Sequence, residues 1–228
     1  MTKKVKEFFA KSGDYVKDLN ENVTSIFKKP KKTIFKKEDF DTNVFENVLN
    51  KLHSRRSCRK FSSKKPDFKV VYDIIETSLR APCAGGIQNI YVIAIEDSHH
   101  IHDLARIHGE QSWAGKAPIM LAVVRDNSEF EKLYPHDSFN LSLQNSAFVS
   151  SSIVNLLALT DLGCCVVRAG SNDETCKILG VDSSMSVDCL IPIGYSIDNP
   201  KYSDRLPTGQ RFYFESFGNS NRGGAGHH

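Results

Sequence analysis

Residues 138–170 read "SFNLSLQNSAFVSSSIVNLLALTDLGCCVVRAG", and the fold turns on how this stretch is divided. The portion up to "DLG" reads as one long helix, spanning about residues 139–161. Ser146, Ala147, Ser150, Ser151 and Ser152 are small and let another helix approach it closely. "CCVVRA" then reads as a short buried strand, rich in β-branched residues. Asp137 precedes the helix and is read as an ordinary acidic residue rather than as its cap.

Moving outward, "NDETCKILG" reads as a short helix, and "CLIPIGY" as the next strand. Upstream, "IYVIAI" (90–95) and "PIMLAVV" (118–124) are two more buried strands. "DTNVFENVLNKLHS" reads as a helix capped by Asp41 or Thr42, with Val44, Phe45, Val48, Leu49 and Leu52 inward. "DFKVVYDIIETSLRA" repeats the pattern, with Asp67 as cap and Val70, Val71, Ile74, Ile75 and Leu79 inward. "SHHIHDLARIHG" reads as a helix closed by Gly109. "RFYFESFG" is a last strand or an extended tail. Helices and strands alternate imperfectly, which predicts an α+β or mixed three-layer architecture rather than a regular doubly wound sheet.

The 228 residues are 40% hydrophobic and 25% charged, a balance that supports a packed core. The net charge of +3 is too small to argue for nucleic acid. Residues 1–50 hold eleven lysines and eight acids, so the whole excess lies there. Residues 1–40 are therefore read as a basic N-terminal extension, 41–219 as the domain, and 220–228 as a flexible tail whose histidines fit an expression tag. The extension has loosely helical apolar spacing, but acids interrupt its cationic face. Packing on the domain or a partner subunit is favoured over membrane contact.

No transmembrane run or signal peptide is apparent. The six cysteines include no C-x-x-C pair, so zinc spacing is absent and a reduced, cytoplasmic protein is expected. His99, His100, His102 and His108 read as a solvated helix face, and no metal site is expected.

"RRSCRKF" (55–61) packs four cations around one cysteine. Alone, it reads as a solvated helix end. Other cationic and glycine-rich pieces recur at element ends, namely "APCAGGIQN", "EQSWAGKAPI", "VVRAG" and "RLPTGQRF". Guanidinium groups give paired donors to a phosphate, and glycine turns let backbone N–H groups approach a ring or an anion.

In this order the pieces resemble the FMN-dependent nitroreductase family, over about residues 41–219. "RRSCRKF" matches its R-R-S-x-R-x-F opening, "LRAPCAGGIQN" its A-P-S-x-G-N-x-Q loop, and "QSWAGKAPIMLAVV" its Q-x-W…A-P strand entry. "LGVDSSMSVDCLIPIGY" and "RLPTGQRFYFESFGN" match its later pieces. The resemblance implies a nitroreductase-like fold, with a mixed central sheet flanked by helices, in an intertwined homodimer that binds FMN at the subunit interface.

It implies that Arg55, Arg56, Ser57 and Arg59 hold the FMN phosphate and ribityl chain, with Arg205 reaching the same phosphate. It implies that Pro82, Cys83, Ala84 and Gly85 lie against the flavin of the partner subunit. Gln111 is implied near the flavin's polar edge, and Arg168, Ala169 and Gly170 form the turn facing its N5. The flavin would carry the chemistry, taking hydride from NAD(P)H and passing it by a ping-pong mechanism to a small organic acceptor, with no obligatory acid–base side chain.

The chain departs from the pattern on the ring side. Cys83 replaces the loop serine, Gly86 an asparagine, Val166 a tryptophan and Arg168 a glycine, and the aromatic after the loop's glutamine is Ile90. Cys83 is read as a small serine substitute in preference to a reactive thiol. Arg168 is open between an anionic substrate, the flavin N1 and solvent. A flavin store or redox sensor with little turnover is the alternative reading.

Overall fold

Two apolar runs in the middle of the sequence are buried on both faces and build the centre of the sheet. The computed structural model describes residues 41–107, 109–170, 172–201 and 204–220. The basic extension expected at 1–40, the Gly/His tail from 221 and His108 lie outside the described residues. The described elements are α1 (Thr42–Ser54), α2 (Phe68–Ser78), β1 (Ile90–Ile95), α3 (Ser98–Ile107), β2 (Ile119–Asp126) and α4 (Ser128–Leu133). They continue with α5 (Ser138–Leu157), β3 (Leu162–Cys164), β4 (Val167–Arg168), α6 (Asn172–Leu179) and β5 (Met185–Tyr195).

The strand order is β1-β2-β5-β3, and β4 also pairs with β5. Every named pair is antiparallel. The one parallel contact among the described residues is the isolated bridge between Ser57 and Cys164. Side chains alternate along β2. Ile119, Leu121 and Val123 enter one core with Val71, Ile74, Val149 and Ile153 of α2 and α5. Met120, Ala122 and Val124 enter a second core with Ile101, Leu104, Ala105 and Cys176 of α3 and α6. This is the predicted three-layer α+β arrangement.

The helix signals hold where chemistry enforces them. Asp67 caps α2 and accepts from the Lys69 N–H at 2.9 Å. Gly180, at φ 63°, closes α6 in a conformation that costs a side-chain-bearing residue more. Two expectations change and one open alternative is decided. "CCVVRA" is not one strand: β3 and β4 keep the same register on β5, with Cys164 opposite Ile193 and Val167 opposite Leu190, but pairing lapses between them. The inward face of α1 contains no buried residue. Val48, Leu49 and Leu52 are half-buried, while Val44 and Phe45 are exposed. "RFYFESFG" forms no strand in this chain. Its rings stack on one another instead, Phe212 on Phe214 at 5.1 Å and Tyr213 on Phe217 at 4.9 Å.

The strand ends meet at two glycines. Gly163 of β3 and Gly194 of β5 are direct register partners. A Cβ on Gly163 would lie 2.7 Å from Cys58 Sγ and 2.9 Å from Cys58 Cβ. A Cβ on Gly194 would lie 2.8 Å from Pro118 Cδ and 3.2 Å from Phe61 Cβ. The bare backbone there is what seats residues 58–61. Gly163→Ala should therefore cost about 1–3 kcal/mol, the usual penalty for overpacking a close-packed site. Cys58→Ala in the same chain should recover only part of it, because the Cys58 Cβ remains in the way. Denaturant melts of the two variants check this; a Gly163→Ala protein as stable as the parent would contradict the packing.

Candidate functional site

Residues 55–62 run as an irregular edge along β3 and the end of β5. The Cys58 N–H donates to the Cys164 carbonyl at 2.9 Å, the Ser62 N–H to the Tyr195 carbonyl at 2.9 Å, and the Ile197 N–H to the Lys60 carbonyl at 3.0 Å. The Arg59 N–H donates to Asp198 Oδ2 at 2.9 Å. Arg55 and Ser57 are half-buried and Arg59 is exposed, whereas Cys58 between them is buried. Cys58 and Phe61 are buried with Ala117 against Trp113.

Arg55, Ser57 and Arg59 all act electrostatically on Cys165. Burial pushes the Cys165 thiol up, while the Arg59 charge, the Ser57 hydroxyl and the Arg55 charge each oppose that shift. Neighbouring Cys164 is pushed by burial up to about 12, against the pull of Arg55. The Arg59 guanidinium lies 5.9 Å from the centre of the Trp113 ring. Among the described residues, neither Arg55 nor Arg59 pairs with a carboxylate. Asp198, the nearby acid, is engaged otherwise. Burial alone would raise its pKa, but the Ser196 hydroxyl and the Arg59 and Lys60 backbone N–H groups hold it below the usual range.

Arg56 points elsewhere: its Nη1 donates to the carbonyls of His53 and Arg55, both at 2.7 Å, at the end of α1. Arg205 is exposed beyond the sheet and forms no ion pair with another described residue. Gln111 is half-buried at a kink in the 3₁₀ segment Gly109–Lys116, two residues before Trp113.

A different element holds the glycine loop. Ala84–Gly86 form a 3₁₀ turn, with Gly85 at φ 61° and Gly86 at φ 72°. The Ala84 N–H donates to Asn145 Oδ1 of α5 at 2.9 Å. Pro82 is exposed and Cys83 half-buried. At the end of β4, Arg168 is exposed opposite Cys189, Ala169 is buried, and Gly170 is exposed. The Ala169 N–H approaches the Asp188 carbonyl at 3.4 Å.

The sequence reading missed a buried polar network behind these elements. Arg125 donates through Nε and Nη2 to Asp188 at 2.8 and 3.0 Å, and both side chains are largely buried. Arg125 also donates to Asn127 Oδ1 at 2.7 Å. The available signal was a charge inside each of two apolar strands: an arginine in "IMLAVVRD" and an aspartate in "VDCLIPIGY". Among the described residues, no group of His, Cys, Asp and Glu has the arrangement to hold a metal ion.

A family model described as the nitroreductase family matches residues 52–111 and 104–195. A Methanothermobacter thermautotrophicus protein named for NADH dehydrogenase/NAD(P)H nitroreductase activity is 23% identical over 164 residues, covering 69% of this chain and 82% of its own. Among solved structures, the NADPH:FMN oxidoreductase of Vibrio harveyi, complexed with NAD+, superimposes with a TM-score of 0.67 at 19% identity, covering 75% of this chain and 78% of its own. An FMN-dependent nitroreductase of Clostridium difficile gives 0.64 at 22% identity, covering 74% and 99%. At these identities the superpositions show a shared fold.

The thiols supply a direct check of the local geometry. Cys164, Cys165, Cys176 and Cys189 all have burial-raised pKa values, and only thiolate reacts. Cys83 is the one cysteine that is not buried. Iodoacetamide on the native protein at mildly alkaline pH should label Cys83 first and the others only after denaturation, as read by peptide mass spectrometry. Equal labelling of Cys83 and Cys164 in the native protein would contradict the burial.

Proposed function

The chain belongs to the nitroreductase family, and from that premise we propose that it is an NAD(P)H-dependent flavin oxidoreductase holding FMN through Arg55, Ser57 and Arg59. The observation that carries the reading is the pair of guanidinium groups in the segment beside β3 that, among the described residues, have no carboxylate partner. Two such groups and a hydroxyl match the donor needs of a phosphate dianion, and each guanidinium offers a planar fork to two oxygens. When bound, FMN supplies two-electron chemistry, taking hydride from NAD(P)H and, in a second half-reaction, passing it to a small organic acceptor such as a quinone or nitroaromatic.

The chain's own groups do the rest. Arg55 and Arg59 bind the phosphate, and Ser57 adds a hydroxyl donor. Trp113, stacked beside Arg59 and Phe61, limits where the Arg59 guanidinium can swing. Arg56 supports this arrangement indirectly, by closing the end of α1. Arg205 reaches the phosphate from the tail segment. Pro82, Cys83, Ala84 and Gly85 offer a backbone surface to the ring, Gln111 an amide to its polar edge, and Arg168, Ala169 and Gly170 a turn beside it. Arg168 adds a positive charge that favours acceptors carrying a carboxylate or phosphate.

A homodimer fits the surface of α5. Leu143 and Phe148 of α5 lie exposed, with Phe148 47% exposed. The tail adds Phe212 and Phe217, the latter 94% exposed. A second copy would cover them, in an obligate interface above about 2,000 Å². Six free cysteines suit a reducing compartment such as the cytoplasm. Among the described residues, no helix is long and apolar enough to cross a membrane.

Arg55→Ala and Arg59→Ala should each weaken FMN binding by roughly 10- to 150-fold, the equivalent of about 1.5–3 kcal/mol for a hydrogen bond to a charged group. Quenching of FMN fluorescence on titration measures it, and full affinity in both variants would refute the phosphate assignment. Anaerobic NADPH or NADH should bleach the yellow protein within the mixing time of a turnover assay, and a quinone should restore the colour. A yellow protein that neither nucleotide bleaches would favour the storage or sensing alternative. Light scattering should report twice 25.5 kDa, and a stable monomer with FMN bound would refute the dimer.

A further inference from the structure

A buried amide holds both ends of the turn at residues 84–86. Asn145 lies in α5 and is only 1% exposed. Its Oδ1 accepts from the Ala84 N–H at 2.9 Å, and its Nδ2 donates to the Ile87 carbonyl at 3.3 Å. Gly85 and Gly86, the residues between those anchors, have left-handed backbones and little steric restraint of their own. The other Nδ2 proton goes to Asn89 Oδ1 at 2.9 Å. One oxygen facing a donor and one nitrogen facing two oxygens leave a single workable orientation of the amide, since a flip would set like against like at every partner.

The amide does not stand alone. Asn89 donates to the Asp126 carbonyl at 3.0 Å and to Ser142 Oγ at 2.8 Å. The Ser142 hydroxyl donates to Asn127 Oδ1, which also accepts from Arg125. Arg125 is in turn fixed by its two bonds to Asp188. The chain of bonds thus runs from a buried ion pair between two central strands to the glycine turn that leads into β1. A fully satisfied buried network of this kind holds its members in one geometry.

We propose that Asn145 is a positioning residue: it fixes the backbone of residues 83–87 as a rigid surface for the ring side of the bound flavin, with the Arg125–Asp188 pair as its base. The proposal rests on the flavin reading above. The phosphate end is seated by a separate element, the segment beside β3. Loss of Asn145 should therefore disturb the ring side, where the acceptor binds, more than recognition of the phosphate.

The test compares Asn145→Leu and Asn145→Ser with Val149→Ala, a buried substitution in the same helix that faces the apolar core. In flavin-free full-length protein, amide exchange of the peptide covering 82–89 should be about 5- to 10-fold faster in both Asn145 variants, the equivalent of one lost buried hydrogen bond, and unchanged in Val149→Ala. With FMN bound, the acceptor KM should rise about fivefold or more in the Asn145 variants, with the FMN Kd changed less than about threefold, because misplacing a positioning surface acts on the acceptor's pose. If Asn145→Leu does not fold, the smaller Asn145→Ser decides both measurements. Unchanged exchange overturns the assignment of Asn145. Faster exchange with an unchanged acceptor KM overturns the ring-side role while leaving the flavin reading intact. Failure of the unaltered protein to bind FMN overturns the flavin reading itself, and with it the ring-side role.

Discussion

The close approach of residues 58–61 to Gly163 and Gly194 is the constraint from which the candidate site follows. The two glycines are register partners, and no side chain stands between them and Cys58, Phe61 and Pro118. Phe61 and Cys58 are buried on that floor, and a side chain of the size of Phe61 contributes about 1.5–3 kcal/mol when fully buried. This anchors a segment that otherwise has only a few backbone bonds to the sheet. Cys58 and Phe61 are held inward, while Arg59 stays exposed and Arg55 and Ser57 half-buried beside them. The cations are together because the apolar neighbours between them are held, not because any acid attracts them. Their mutual repulsion remains uncompensated among the described side chains, which is what an anion would relieve.

The same edge explains the lapse between β3 and β4. Cys164 pairs with β5 on one side and bridges to Ser57 on the other. Cys165 then meets the Ser57 hydroxyl and the arginines, and Val166 turns outward at 48% exposed. Register is kept across the gap, so the interruption re-aims two residues without sliding the strand. One stretch of "CCVVRA" thus closes the floor of the cation group and still ends at Arg168, beside the buried ion pair at Asp188.

Much of this was legible beforehand. Short β-branched runs and helical patterns located the central strands, the cap at Asp67 and the long helix, because each is fixed by local chemistry and by burial. The grouping of Arg55, Ser57 and Arg59 was suggested by family resemblance, and burial of Cys58 and Phe61 accounts for where the segment is held. What was not legible depends on partners far away in sequence. Arg56 carries the same charge as its neighbours, and only the end of α1 decides that it serves carbonyl oxygens. Arg125 and Asp188 are 63 residues apart, and nothing local pairs them. The inward face predicted for α1 failed, and the choice between strand and tail at "RFYFESFG" stayed open, for a related reason. Apolar periodicity says that a face will be covered, not which surface covers it.

Asn145 marks the boundary between these two kinds of information. A polar residue on the buried side of a helix usually signals a missing partner, and the surrounding serines gave no hint of which group it would be. In the folded chain its partners are a turn 61 residues earlier in sequence and a second asparagine. A buried ion pair such as Arg125–Asp188 adds little net stability once desolvation is counted, so its persistence is better explained by specificity than by strength. Here the specificity has a structural destination. Each link passes orientation to the next until it reaches two glycines that could otherwise adopt many shapes. The segment at 58–61 is fixed by steric fit on bare backbone, whereas the glycine turn is fixed by directional hydrogen bonds. A fold that positions these two elements by different physics can change one without the other, and the departures at Cys83 and Gly86 fall on the second.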